Sequence, residues 1–145
     1  MATTGTRRSA ADQAWELLAE LQWAHGRPRS MAVAAELELS PPQLMALRRL
    51  DPDEPLPMSR LAQDLHCDNS NVTGIVDRLE DRGLVERRVA AHDRRIKQLV
   101  LTEKGAEVRA QVFERLHSAP EPLQRLTAAE QRTLRDLLKK ALDRR

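Results

Sequence analysis

A mainly α-helical domain carrying one small β-hairpin is the fold this sequence predicts, and three observations predict it. The apolar residues, 41% of the chain, are almost all aliphatic, chiefly Leu and Ala, while the aromatic residues are only Trp15, Trp23 and Phe113; such a composition suits helix packed on helix. Apolar positions recur at helical spacing along most of the chain. One pair of runs rich in strand-favouring residues, 84–90 and 96–101, stands apart, joined by the polar Ala91-His92-Asp93-Arg94-Arg95. At 145 residues the chain fits a single domain, 1–145. No apolar run approaches the ~20 residues that cross a bilayer, and Met1 to Arg8 offers no apolar stretch to serve as a signal peptide. The lone Cys67 allows no intrachain disulfide, in keeping with a cytoplasmic location.

The elements follow in order. Between Ser9 and His25, Ala11, Ala14, Trp15, Leu18 and Leu21 share a helical face, and Gly26-Arg27-Pro28 is expected to end or kink that helix. A second apolar stretch, Met31 to Leu37, leads to Ser40-Pro41-Pro42-Gln43, a cap, a proline-tolerant first turn and a capping-box partner for a third helix reaching about Leu50. Asp51 to Pro57 holds three prolines and reads as a connector. From Met58 come two short helical patterns. Leu61, Ala62 and Leu65 face inward on the first; Val72, Ile75, Val76 and Leu79 form a narrow stripe on the second, which Asp68 or Asn69 caps and Gly83 ends. After the hairpin, Thr102-Glu103-Lys104-Gly105 opens a long helix to about Ser118, with Ala106, Val112, Phe113 and Leu116 expected inside, and Pro120 and Pro122 close it. The last helix pairs Thr127 with Glu130 in a capping box and carries a stripe of Leu134, Leu137, Leu138, Ala141 and Leu142.

Helix, tight turn, helix and a basic-tipped hairpin is the order of a winged helix-turn-helix. Small Ala62 lets the two helices cross closely, and Val72 and Ile75 seal the crossing. His66 stands where the turn requires positive φ, a place usually taken by glycine; histidine tolerates that region better than bulkier residues.

The net charge of +2 conceals a sharp division: residues 51–81 carry two basic and eight acidic groups, residues 82–97 six basic and two acidic. Such a cluster is ordinarily a solvated surface, so its neighbours decide its meaning. With Val72 at the centre of the buried stripe, Ser70, Gly74, Asp77 and Asp81 point outward, flanked by Asn71, Thr73 and Arg78. Ser70, Asn71 and Thr73 suit base edges or phosphates, Gly74 admits close approach, and Arg78 suits guanine or phosphate. Asp77 and Asp81 are expected to pair with Arg78 or Arg82. Arg87, Arg88, Arg94, Arg95 and Lys97 surround a tip narrow enough for a minor groove, whose negative potential favours a guanidinium. Asp93 there either orients a guanidinium or forms an ordinary ion pair.

The stretch Asn71-Val72-Thr73-Gly74-Ile75-Val76-Asp77-Arg78-Leu79-Glu80-Asp81-Arg82-Gly83-Leu84-Val85-Glu86-Arg87, with Asp93-Arg94-Arg95 and Leu99-Val100-Leu101-Thr102-Glu103-Lys104-Gly105 after it, resembles the MarR family of bacterial transcriptional regulators. The likeness is strongest over 58–105. It implies a winged helix-turn-helix in 51–101 with a helical dimerisation region drawn from both termini, 9–50 and 102–145. The family's Asp-x-Arg wing signature falls on Asp93 and Arg95, implying that Arg95 enters the minor groove and Asp93 steadies it. An obligate homodimer is also implied, and the terminal Leu stripe and two Trp independently call for cover. A two-fold dimer would set its recognition helices roughly 34 Å apart on a pseudo-palindrome.

Similar regulators usually bind a small aromatic or phenolic anion, or sense oxidation, between the dimerisation helices and the winged region. Trp15, Trp23, His25, Arg27, Met45 and Arg48 are the candidates for such a pocket, although apolar residues at this spacing are commonly core. Oxidant-sensing relatives carry their cysteine in the first helix; Cys67, at the turn before the recognition helix and beside Asp68, reads as an unreactive half-buried thiol. The four His are scattered, so no metal is expected, and the five Gly form no cofactor or phosphate-loop fingerprint, so neither cofactor nor catalysis is expected. The expected function is a ligand-responsive homodimeric repressor binding double-stranded DNA, with no membrane partner. The competing classes are a winged-helix protein-interaction module that does not bind DNA directly and, more distantly, a small-molecule binder without DNA activity.

Overall fold

A computed structural model describes residues 8–143; all of Met1 to Arg8 except Arg8 lies outside them. Ser9 and Asp12 form a reciprocal capping box that opens α1 (Ala10–Leu21). The helix expected to end or kink at Gly26-Arg27-Pro28 does not end there. The chain passes through a π-helical turn, Gln22–Gly26, directly into α2 (Arg27–Glu36), every junction residue staying in the right-handed helical region. Pro28 has no N–H to donate and its ring crowds the carbonyl one turn back; widening the turn before it absorbs the misfit without ending the helix. Met31 to Leu37 is therefore the far end of one long helix rather than a separate element.

Ser40 and Gln43 complete the expected capping box of α3 (Pro41–Arg49). Within the proline-rich connector lies an unexpected strand, β1 (Leu56–Pro57), which runs straight into α4 (Met58–Asp64). The recognition helix is α5 (Asn69–Asp81), followed by β2 (Val85–Val89) and β3 (Lys97–Leu101). The strands form an antiparallel sheet in the order β1-β3-β2, with Leu56 opposite Leu99, Val85 opposite Leu101 and Val89 opposite Lys97. Proline is tolerated in β1 because it occupies the sheet edge. Thr102 caps α6 (Glu103–His117), Pro120 precedes the short α7 (Glu121–Gln124), and Thr127 with Glu130 caps α8 (Ala128–Leu142).

The core centres on α3. Leu44, Leu47 and Leu50 meet Leu61, Val72, Val76, Leu79, Leu84 and Leu99, with Val33 and Ala34 from α2 and Val112 from α6. Each such leucine removed from water contributes about 1.5–3 kcal/mol. Of the four residues expected inside on α6, only Val112 is fully buried; Ala106, Phe113 and Leu116 are half-buried, and Gly105 is the closely packed residue of that helix. Helices α1 and α8 bury none of their residues. Parts of their stripes face outward, with Trp15 74% exposed, Leu137 60% and Leu142 76%, and Trp23 of the π-helical turn is 69% exposed. Among the described residues no helix is long and apolar enough to cross a membrane.

Candidate nucleic-acid interface

The recognition helix is built by its cap and its entry turn. Asp68 is the N-cap, accepting from the Asn71 N–H at 2.8 Å and from the Ser70 hydroxyl at 2.8 Å. The Asn71 N–H, followed by the Ser70 hydroxyl, holds the Asp68 carboxyl below the ordinary value. His66 takes φ 52°, the left-handed conformation the turn demands, and the half-buried Cys67 donates its backbone N–H to the Ala62 carbonyl at 3.1 Å. Gly83, at φ 68°, ends the helix. Val72, Val76 and Leu79 are buried; Ile75, expected with them, is half-buried.

Ser70, Asn71, Thr73, Gly74 and Arg78 are all exposed. Thr73 donates its hydroxyl to the Asn69 carbonyl at 2.7 Å, which leaves the hydroxyl oxygen only as an acceptor. A Cβ at Gly74 would meet nothing within 4 Å, so the packing of this chain does not require glycine there.

Across the wing, the Ala90 N–H donates to Ile96 O at 2.9 Å and closes the hairpin. Asp93 accepts the Arg95 backbone N–H at 2.9 Å. It thus shapes the tip through the main chain, rather than gripping a guanidinium or forming an ion pair. Arg94, Arg95 and Lys97 are exposed, and among the described residues none of them has a carboxylate partner within 4.0 Å. Arg88 pairs with Glu86 at 3.0 Å.

Arg87 does not sit at the tip. Its guanidinium reaches back beneath the recognition helix and donates to Asp77 and Glu80. Burial alone would lower its pKa, but the two carboxylates outweigh that and hold it above its ordinary value. The expected pairing of Asp77 with Arg78 or Arg82 is therefore replaced. Neighbours at i,i+1 do not face one another on a helix, and Arg82 is committed elsewhere, donating to Glu38 O at 2.7 Å and Leu37 O at 3.1 Å.

Helix and wing border a common groove of about 380 Å³, lined by Met58, Ser59, Asn69, Val72, Thr73, Arg95, Ile96 and Lys97. It holds two cations and no carboxylate. Ser59 carried no pattern in the sequence that singled it out, and Asn69 stood out only as a candidate helix cap; the fold alone brings them to this groove.

The effector candidates do not converge within one chain. Trp15, Trp23, His25 and Arg27 are exposed on the long first helix, with the Arg27 guanidinium stacked over the Trp23 ring at 4.8 Å. Met45 and Arg48 do come together, with Arg49 and Phe113, around a cleft of about 140 Å³ between α3 and α6. Arg109 lies 4.4 Å over the Phe113 ring, and its buried Nε has no hydrogen-bond partner among the described residues. No three His, Cys, Asp or Glu among the described residues are grouped to hold a metal ion.

The MarR family model matches residues 39–97, from the residue before the α3 cap to the far side of the wing. The transcriptional repressor MprA of Escherichia coli is 37% identical over 103 residues, 69% of this chain and 58% of MprA. Wild-type apo MarR from E. coli superposes with a TM-score of 0.73 at 27% identity, covering 88% of this chain and 96% of that one. Residues 39–97 are a MarR family domain. A MarR family protein from Bacillus stearothermophilus, 26% identical, covers 94% of this chain and all of its own length at a TM-score of 0.72. Among curated MarR-type relatives, the chain spans 58% of MprA and 51% of the HTH-type regulator YfiV of Bacillus subtilis, 34% identical over 82 residues.

Proposed function

We propose that this chain, with its MarR family domain, is a cytoplasmic homodimeric repressor that binds a pseudo-palindromic duplex through its recognition helices and wings. The observation that carries the reading is the shared groove. Asn69 and Thr73 of α5 and Arg95 and Lys97 of the wing border one channel whose lining holds no carboxylate, which suits a phosphodiester backbone passing between two reading elements. The open space at Gly74 supports it further, because a glycine unneeded by internal packing leaves bare backbone for a base edge. Ser70, Asn71, Thr73 and Arg78 read the major groove; Arg94 and Arg95, on a tip ordered by Asp93, enter the minor groove, while Arg88 and Lys97 meet phosphate.

Residues 51–101 form the reading unit, and 9–50 with 102–145 form the dimerisation region. The bare stripes of α1 and α8 support this division: apolar faces of that size are ordinarily covered. A small aromatic or phenolic anion releases the repressor by binding better to a dimer whose two reading units are wrongly spaced for DNA. The cleft of Met45, Arg48, Arg49 and Phe113 supports that role, with guanidiniums for the anion and a ring for the arene.

The test is selection of bound duplexes from a random pool, followed by titration of the winner at several salt concentrations. Binding should weaken with a logarithmic slope near −0.9 per phosphate neutralised. Replacing Lys97 with Ala should lower affinity for every duplex and flatten that slope by about one unit, and replacing Arg95 with Ala should lower affinity for the selected duplex. No selected sequence, or a slope near zero, would overturn the assignment.

A further inference from the structure

Two carboxylates stand on the flank of the recognition helix that looks toward the wing. Counting 100° per residue from Val72, Asp77 lies roughly 140° around the helix and Glu80 roughly 80°. Thr73, one of the base-reading candidates, lies between them at roughly 100°. Left free, Asp77 and Glu80 would oppose a phosphate backbone in the adjoining groove, because like charges brought together at an interface are strongly disfavoured.

Arg87 removes that conflict. Its guanidinium donates to both carboxylates and lies 3.5 Å from the Thr73 carbonyl, while its backbone N–H donates to Glu80 Oε1 at 3.3 Å. One side chain on β2 thus holds three successive positions of one helix flank. Its side chain is 22% exposed, and its guanidinium is engaged by Asp77, Glu80 and the Thr73 carbonyl.

We propose, resting on the DNA-binding reading above, that Arg87 is a positioning residue for DNA. It masks Asp77 and Glu80 so that α5 presents a face compatible with a polyanion. The fold itself does not depend on these ion pairs. Asp77 and Glu80 remain 54% and 39% exposed, and pairs of that exposure contribute little to stability. A direct phosphate contact is also a poor description, since the guanidinium is already occupied by acceptors of its own chain.

The experiment uses the full chain and the selected duplex. R87M should lower affinity at least about tenfold, the scale expected of uncovered like charge, while leaving the thermal unfolding midpoint nearly unchanged. The triple variant D77N/E80Q/R87M should recover affinity to within about threefold of the starting protein, since no charge remains to be masked. Unchanged affinity in R87M overturns the inference. So does a triple variant as weak as R87M with a salt slope reduced by about 0.9, the mark of a lost phosphate contact. Should R87M fail to fold, D77N/E80Q decides: it should bind any duplex more tightly than the starting protein, and equal or weaker binding overturns the inference. If the starting protein binds no duplex at all, the DNA-binding reading itself fails, a result distinguishable from each of these.

Discussion

Gly105, in the first turn of α6, rests directly on the carbonyl oxygen of Leu84, the residue that leads from the recognition helix into the wing; a Cβ at position 105 would overlap that oxygen. The same carbonyl accepts the Thr102 N–H at 3.1 Å, and the Thr102 hydroxyl donates to Gly83 O at 2.6 Å. The start of α6 is thereby pinned to the base of the wing. G105A should lower stability by about 1–3 kcal/mol, the usual cost of forcing extra volume into a packed site. Urea unfolding should show a lower midpoint at unchanged slope.

His66 occupies the left-handed region at φ 52° and its side chain is exposed. The Cβ penalty there outweighs the extra freedom glycine gains when unfolded. H66G should therefore raise stability by about 0.5–1 kcal/mol, read as a higher melting temperature with unchanged circular dichroism. A lower melting temperature would mean that the imidazole makes a compensating contact.

The Asp68 cap carries a pH dependence of definite sign. The Asn71 N–H and the Ser70 hydroxyl depress its native carboxyl below the ordinary 3.8. Its contribution is complete above that unfolded-state value and is lost as pH falls through 3.8 toward the native value. Amide exchange in the first turn of α5 should accelerate across that acid window. In D68N, where the cap is kept but does not titrate, this acceleration should disappear.

The outward stripe of α8 predicts the assembly state. L137E and L142E add charge to largely exposed positions, so each should leave the helical content intact while converting a dimer to a monomer in sedimentation. A variant still dimeric at micromolar concentration would place the interface elsewhere.

Capping residues were legible without any fold. Ser40 with Gln43 and Thr127 with Glu130 act across three residues, and each sits where its spacing puts it; of Asp68 and Asn69, both open as caps of α5, Asp68 is the cap. The hairpin strands fall within a residue of the runs that signalled them, and the tight turn at His66 adopts the positive φ its place in the motif demands. The helical wheel was likewise enough to put Ser70, Gly74 and Asp77 on the outer face. By contrast, the helix expected to end or kink at Gly26-Arg27-Pro28 continues through a π-helical turn, and the Leu56–Pro57 strand was hidden because its partner, Leu99, lies far along the chain.

The amino-acid sequence by itself determined most of the helices and the wing hairpin, where their caps fall and which side of α5 turns to solvent. These are decided by contacts within about one helical turn or one hairpin. Tertiary structure alone decided that Arg87 answers Asp77 and Glu80, that Asp93 holds the wing tip by its main chain, and that Met45 and Arg48 share a cleft from which Trp15 and Trp23 stand apart. Those outcomes depend on which surfaces packing brings together, and no spacing rule along one element encodes the approach of another.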